Sequence, residues 1–172
     1  MEVLLEEALY LAEQDNRIYV RSTGHVTANS CADLKARVFD RLESQPAIES
    51  VYVDLSDCEY MDSTFMGLLV GFNKRFLRFS ERPITIIKAN ETCMKLLRTI
   101  GMSRLVEMSD EMPGFPDHME RIGTGRPVDA GFILGAHDDL IELSEENEKR
   151  FSALRSVLSQ QLDKQEADTD ET

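Results

Sequence analysis

Three adjacent side chains, Asp62, Ser63 and Thr64, stand between an apolar run and a glycine-bearing apolar segment. A carboxylate and two hydroxyls at the start of a helix can accept hydrogen bonds from its free backbone N–H groups. The same unpaired donors, with the positive end of the helix dipole, favour a phosphate. Ser63 is therefore read in two ways, as a helix cap or as a site of reversible phosphorylation. Both roles can coexist, because Asp62 can take over the capping.

Other chemistry finds less support. Ser63 as a hydrolytic nucleophile requires a histidine base and an orienting acid. His25, His118 and His137 read as loop residues, and no Gly-x-Ser-x-Gly elbow is present. Asp54, at the end of a strand, lacks the acidic pair that a magnesium-dependent phospho-aspartate needs after the first strand. His118 and Glu120 are two ligand types on one loop, too few for a metal site. Cys58 precedes the Asp-Ser-Thr cluster without a neighbour in sequence that lowers its pKa. Met61, Met66, Met94, Met102 and Met108 read as core filler. Met66 is singled out because, exposed on the first turn after Ser63, it would offer a partner an adaptable contact. No cofactor or metal is expected.

The elements that must position the cluster follow from periodicity. Residues 8–13 and 17–22 predict two strands joined by a polar turn, and Gly24 breaks the run. Residues 31–42 predict a helix behind the capping types Thr27, Asn29 and Ser30. Residues 48–55 predict a central strand, followed by a polar loop at 56–59. Residues 63–79 predict a largely buried helix, in which Gly67 and Gly71 lie four apart on one face. Each glycine costs helix stability, so something should approach closely there. A strand at 83–88, a helix at 91–100 ended by Gly101, and a strand at 105–108 complete the pattern. The alternation implies an α/β fold, a mixed β-sheet with parallel βαβ units and packed helices.

Residues 113–137 hold Pro113, Gly114, Pro116, Gly123, Gly125, Pro127, Gly131 and Gly135 and read as a linker. Residues 138–165 predict a C-terminal amphipathic helix with the stripe Leu140, Leu143, Phe151, Leu154, Leu158 and Leu162, interrupted by Asn147. That stripe should pack on the chain's own domain or on a second copy, as a homodimer. Residues 166–172 read as an acidic disordered tail. The organisation is thus 1–112, 113–137, 138–165 and 166–172.

The formal charge of −13 opposes binding to nucleic acid or acidic lipid. Residues 138–172 are especially acidic, with 11 acidic and 4 basic side chains. No run of 18 apolar residues predicts a membrane span, and the N-terminus lacks the basic start of a secretory signal. Three cysteines, Cys31, Cys58 and Cys93, fit reduced thiols in a cytoplasmic protein.

Residues 4–108 resemble the STAS family, the domain of bacterial anti-sigma factor antagonists. The resemblance rests on Val53-Asp54-Leu55-Ser56, then Tyr60-Met61-Asp62-Ser63-Thr64, the glycine-bearing helix, and the strand Pro83-Ile84-Thr85-Ile86-Ile87. It implies that Ser63 is the phosphoacceptor, with Thr64 at the second hydroxyl position. Phe65 replaces the family's glycine, which places an aromatic ring either in the open or under the helix. The implied role is partner switching in transcription regulation. The unmodified domain would bind a GHKL-type serine kinase or anti-sigma factor, phosphorylation would end that binding, and a cognate phosphatase would restore it. The implied partner surface is Gly24, His25, Val26 and Thr27 with Asp62, Ser63, Thr64 and Met66, on a binding module and not an enzyme. The alternatives are an unphosphorylated STAS scaffold subunit of a lipid-transport or stress complex, and a small serine-dependent enzyme.

Overall fold

A computed structural model describes residues 6–123 and 128–170. Strands β1 (Ala8–Gln14) and β2 (Arg17–Val26) form an antiparallel hairpin. Helix α1 (Cys31–Leu42) crosses to β3 (Ser50–Met61), α2 (Ser63–Phe76) to β4 (Thr85–Ile87), and α3 (Glu91–Thr99) to β5 (Glu107–Ser109). Strands β2, β3, β4 and β5 are parallel neighbours, and β6 (Glu120–Ile122) adds antiparallel to β1, giving the order β5-β4-β3-β2-β1-β6. Helices α4 (Ala130–Ile141) and α5 (Glu145–Asp170) follow.

One core joins Leu9, Val20, Val53 and Leu55 of the sheet to Leu34 and Val38 of α1, Phe65, Leu69 and Phe72 of α2, and Leu97 of α3. On the other face of the sheet, Tyr19 stacks on Tyr52 with ring centroids 5.5 Å apart, and the Phe115 ring meets Tyr19 edge-on at 4.9 Å.

Five expectations need correction. The segment 56–59 is strand rather than loop. Opposite Arg21–Thr23 and Gly24–His25 the register shifts, so β3 carries extra residues at two bulges that interrupt its apolar alternation. Gly24, at φ 68°, sits at the second shift and carries β2 onward instead of ending it. The stretch 113–137 is no simple linker. Phe115 lies against the sheet, β6 binds its edge, and α4 begins at Ala130. Three residues held by edge hydrogen bonds leave no periodic signature, and Gly131 and Gly135 read as breakers although both lie inside α4. The helix foreseen at 138–165 is two helices meeting at Leu143–Ser144, and α5 continues through Asp170 where a disordered tail was expected. Residues 171 and 172 lie outside the described residues, as do Gly125 and Pro127 of the expected linker.

Candidate functional site

The site forms where the carboxyl ends of β2 and β3 lie side by side, with Val26 opposite Met61. The Asp62 N–H donates to the Val26 carbonyl at 3.0 Å, and its side chain then divides its two oxygens. Oδ1 accepts from the Phe65 N–H at 2.9 Å, capping α2, and Oδ2 accepts from the Ala28 N–H at 2.9 Å. One carboxylate thus fixes both the helix start and the turn after β2. Glu7 secures that turn from the other side: its Oε1 accepts from Ser30 Oγ at 2.7 Å, Thr27 Oγ1 at 2.9 Å and the Thr27 N–H at 3.1 Å. Burial pushes the Glu7 carboxyl up, but the hydrogen bonds from Ser30 and Thr27 outweigh it and hold the group below the usual carboxylate range.

Asp62 is therefore the cap, and Ser63 is free of that duty. Its Oγ lies 2.8 Å from His137 Nε2. His137 is not a loop residue as expected but belongs to α4 and is only 1% exposed. Its Nδ1 lies 2.8 Å from the Ile133 carbonyl, an acceptor only, so Nδ1 carries the proton and Nε2 accepts from the Ser63 hydroxyl. Phe151 of α5 closes over the imidazole edge-on at 5.3 Å.

The fold brings together most of the surface inferred from sequence, but not all of it faces outward. His25 is exposed, with Nε2 3.5 Å from Glu59 Oε2 and its ring beside Tyr60. Thr27, Asp62 and Ser63 are half-buried, while Gly24, Val26, Thr64 and Met66 are buried. Met66, expected as an exposed contact, is buried in the core. Phe65 is fully buried, so the aromatic ring at the family's glycine position serves the core.

Sequence reasoning missed α4 as part of the site. A cap followed by an apolar run was the available signal: Asp129 accepts from the Phe132 N–H at 2.8 Å, and Ala130, Phe132, Ile133, Leu134 and Ala136 follow. The close approach inferred from the α2 glycines is met by the same helix. A Cβ at Gly67 would stand 2.2 Å from the Ala136 carbonyl oxygen, and one at Gly71 would stand 2.8 Å from Asp139 Oδ2. Further along, Lys74 Nζ lies 2.6 Å from Glu142 Oε2 and 3.7 Å from Asp139 Oδ1. Burial pushes the Asp139 carboxyl up against the opposing pull of Lys74 and Arg75, and burial together with Arg75 pulls the Lys35 ammonium down.

The remaining candidates have structural partners. Asp54 is buried, pairs with Arg21 Nε at 2.9 Å and accepts from the Ser56 N–H and hydroxyl. Glu120 pairs with Arg37 at 2.8 Å, and the neighbouring His118 is exposed. Cys58, without a useful neighbour in sequence, meets Cys93 in the fold. A hydrogen bond from the Cys93 thiol holds Cys58 below the usual thiol range and pushes Cys93 well above it. Both are buried. Among the described residues no helix is long and apolar enough to cross a membrane.

A mixed sheet with βαβ crossovers and an Asp-Ser-Thr helix start define a STAS-type domain, and comparison with known proteins agrees. The profile of the family described as "Mlab, STAS domain" matches residues 9–107. The chain belongs to the STAS-domain family. Its fold is similar to the unphosphorylated anti-sigma factor antagonist SpoIIAA, at 16% identity and a TM-score of 0.54 over 60% of this chain and 90% of that one. The phosphorylated form of SpoIIAA from Bacillus matches at 16% identity and a TM-score of 0.49 over 60% and 93%. An anti-sigma factor antagonist from Mycobacterium paratuberculosis matches at 11% identity and 0.49 over 63% and 87%. Helices α4 and α5 lie outside the family match.

Proposed function

We propose that this protein is a phosphorylation-regulated anti-sigma factor antagonist in a bacterial partner-switching pathway. Unphosphorylated, it binds a GHKL-type serine kinase or anti-sigma factor in the cytoplasm. Phosphorylation of Ser63 ends that binding, and a cognate phosphatase restores it. The observation that carries this reading is the division of labour at the start of α2. Asp62 caps the helix, so the Ser63 hydroxyl can be modified without removing the cap. A phosphate there adds about −1.5 to −2 charge beside Asp62, which the helix dipole tolerates and a close interface does not. The partner surface is the exposed part of the Gly24–Thr27 segment, with Asp62 and Ser63. The description of SpoIIAA as an anti-sigma factor antagonist in an unphosphorylated form is consistent with this role.

A second reading, an unphosphorylated scaffold subunit, is favoured by one observation: the Ser63 hydroxyl is held by His137 beneath α4. Ser63 and His137 also have the spacing of a nucleophile and its base. The third member of the chain, however, is the Ile133 carbonyl rather than a carboxylate, and the imidazole is enclosed. We therefore read the pair as a contact between elements and the protein as a binding module.

Intact-mass measurement and site mapping of the protein purified from its own organism test the switch. One phosphoryl group on Ser63, lost in Ser63→Ala, is expected. Calorimetry should then show Ser63→Asp binding the kinase more weakly with its melting temperature retained. Phosphate mapped only to Thr64 refutes the switch at Ser63, and none under any growth condition refutes it and leaves the scaffold.

A further inference from the structure

Gly67 has a steric reason to be glycine that comes wholly from α4. The three atoms nearest its missing Cβ all belong to Ala136, at 2.2, 2.7 and 3.1 Å. Gly71, one turn on, leaves room for Asp139 of the same helix as well as for Phe39. Glycine in a helix interior is less stable than alanine, so α2 gives up intrinsic stability at the two positions where α4 lies on it. The α2 surface is a groove shaped for a helix with small and polar residues, and α4 fills it.

The filled groove includes Ser63. With α4 docked, the Ser63 hydroxyl is held in a hydrogen bond to His137 Nε2, and Met66 one turn on is buried. Its other end is held by Lys74 with Glu142 and Asp139. Asn147, at the start of α5, anchors the pair of helices by donating to the Ile100 carbonyl at 2.9 Å. Beside the apolar Phe132 and Leu140, two of these contacts bury polar groups, at His137 and Asn147, which weakens the interface relative to a wholly apolar one of the same size.

We propose that α4 and α5 form a built-in cover, an intramolecular competitor for the face that carries Ser63. Ser63 becomes available to a kinase or binding partner only when α4 lifts from the Gly67–Gly71 groove. The proposal rests on the reading of Ser63 as the regulated residue, and it adds that the regulation has a gate within the same chain.

The gate is testable without a kinase, so its failure is distinct from failure of the phosphorylation reading. In the full chain, Ser63→Cys gives a maleimide target at the covered position, while Cys31, Cys58 and Cys93 are buried. Gly67→Ala in that background drives a methyl group into the Ala136 carbonyl. Labelling should accelerate roughly ten-fold or more as the local opening equilibrium shifts. Hydrogen exchange should lose protection in residues 132–140 while β2 and β3 stay protected. Ala136→Glu creates the same conflict from the α4 side, leaves α2 intact, and carries the test if Gly67→Ala fails to fold. Unchanged labelling and α4 protection in the variants overturn the proposal. Loss of β2 and β3 protection in Ala136→Glu also overturns it, because α4 is then part of the domain's foundation and not a cover.

Discussion

Asp62→Ala separates the two roles that the sequence left shared between Asp62 and Ser63. The substitution removes the acceptor for the Phe65 N–H, a helix cap worth about 1 kcal/mol within a range of roughly 0.5–2. It also strands the Ala28 N–H, a part-buried donor whose loss of a partner costs about 1–3 kcal/mol. Together these amount to about 2–4 kcal/mol, or a melting temperature lower by roughly 4–15 °C for a chain of this size. Ser63→Ala removes one hydrogen bond to the His137 imidazole, a net effect of about 0.5–1.5 kcal/mol. Asp62→Asn, which keeps one acceptor oxygen, should fall between the two. Guanidinium unfolding followed by far-ultraviolet circular dichroism and by tyrosine fluorescence measures the order. The chain has no tryptophan and four tyrosines, and the stacked Tyr19–Tyr52 pair reports on the sheet. Comparison is valid where the denaturant slope is unchanged. A loss below about 0.5 kcal/mol in Asp62→Ala, or a larger loss in Ser63→Ala, would refute the assignment of the cap.

Three further outcomes are expected. Asn147→Leu removes the donor to the Ile100 carbonyl and should destabilise the α4–α5 unit by about 1–3 kcal/mol, seen as faster hydrogen exchange there; a variant as stable as wild type counts against that anchor. Glu7 has a folded-state pKa below its unfolded value, so its contribution is complete above the ordinary carboxylate range and disappears as pH falls through the lower folded value. Glu7→Gln should accordingly flatten the acid limb of a stability–pH profile, and a profile parallel to wild type would contradict this. Ending the chain at Gly123 removes Phe132 and Leu140 from the core, at about 1.5–3 kcal/mol for each fully buried side chain. The truncated protein should melt lower and self-associate more in light scattering; identical behaviour would show that α4 contributes no packing.

Much of this architecture follows from local patterns. Residues 31–42 and 91–100 show an apolar periodicity that depends on nearest turns, and they form α1 and α3 close to those bounds, although Ser30 turns its hydroxyl to Glu7 and Thr27 instead of capping α1. Val51, Val53 and Leu55 alternate along β3 and are all buried in the core, as apolar residues at a spacing of two on a central strand demand. The helix start at Asp62–Thr64 and the close approach over Gly67 and Gly71 could also be inferred. A turn residue and a small residue constrain the backbone wherever the chain goes next.

What the sequence could not give was the identity of the neighbour. Nothing local distinguishes Asp62 from Ser63 as the cap, because the choice depends on the Ala28 N–H, 34 residues away, engaging the second carboxylate oxygen. Nothing near His137 assigns it to Ser63, 74 residues earlier in the chain. Gly131 and Gly135 disguised α4 because intrinsic propensity disfavours glycine in helices, and tertiary packing on α2 overrides that preference. Local chemistry determined which residues can act and where the helices begin. Only the docking of α4 decided which hydroxyl is covered, because burial and hydrogen-bond partners belong to pairs of elements that the chain brings together after each is formed.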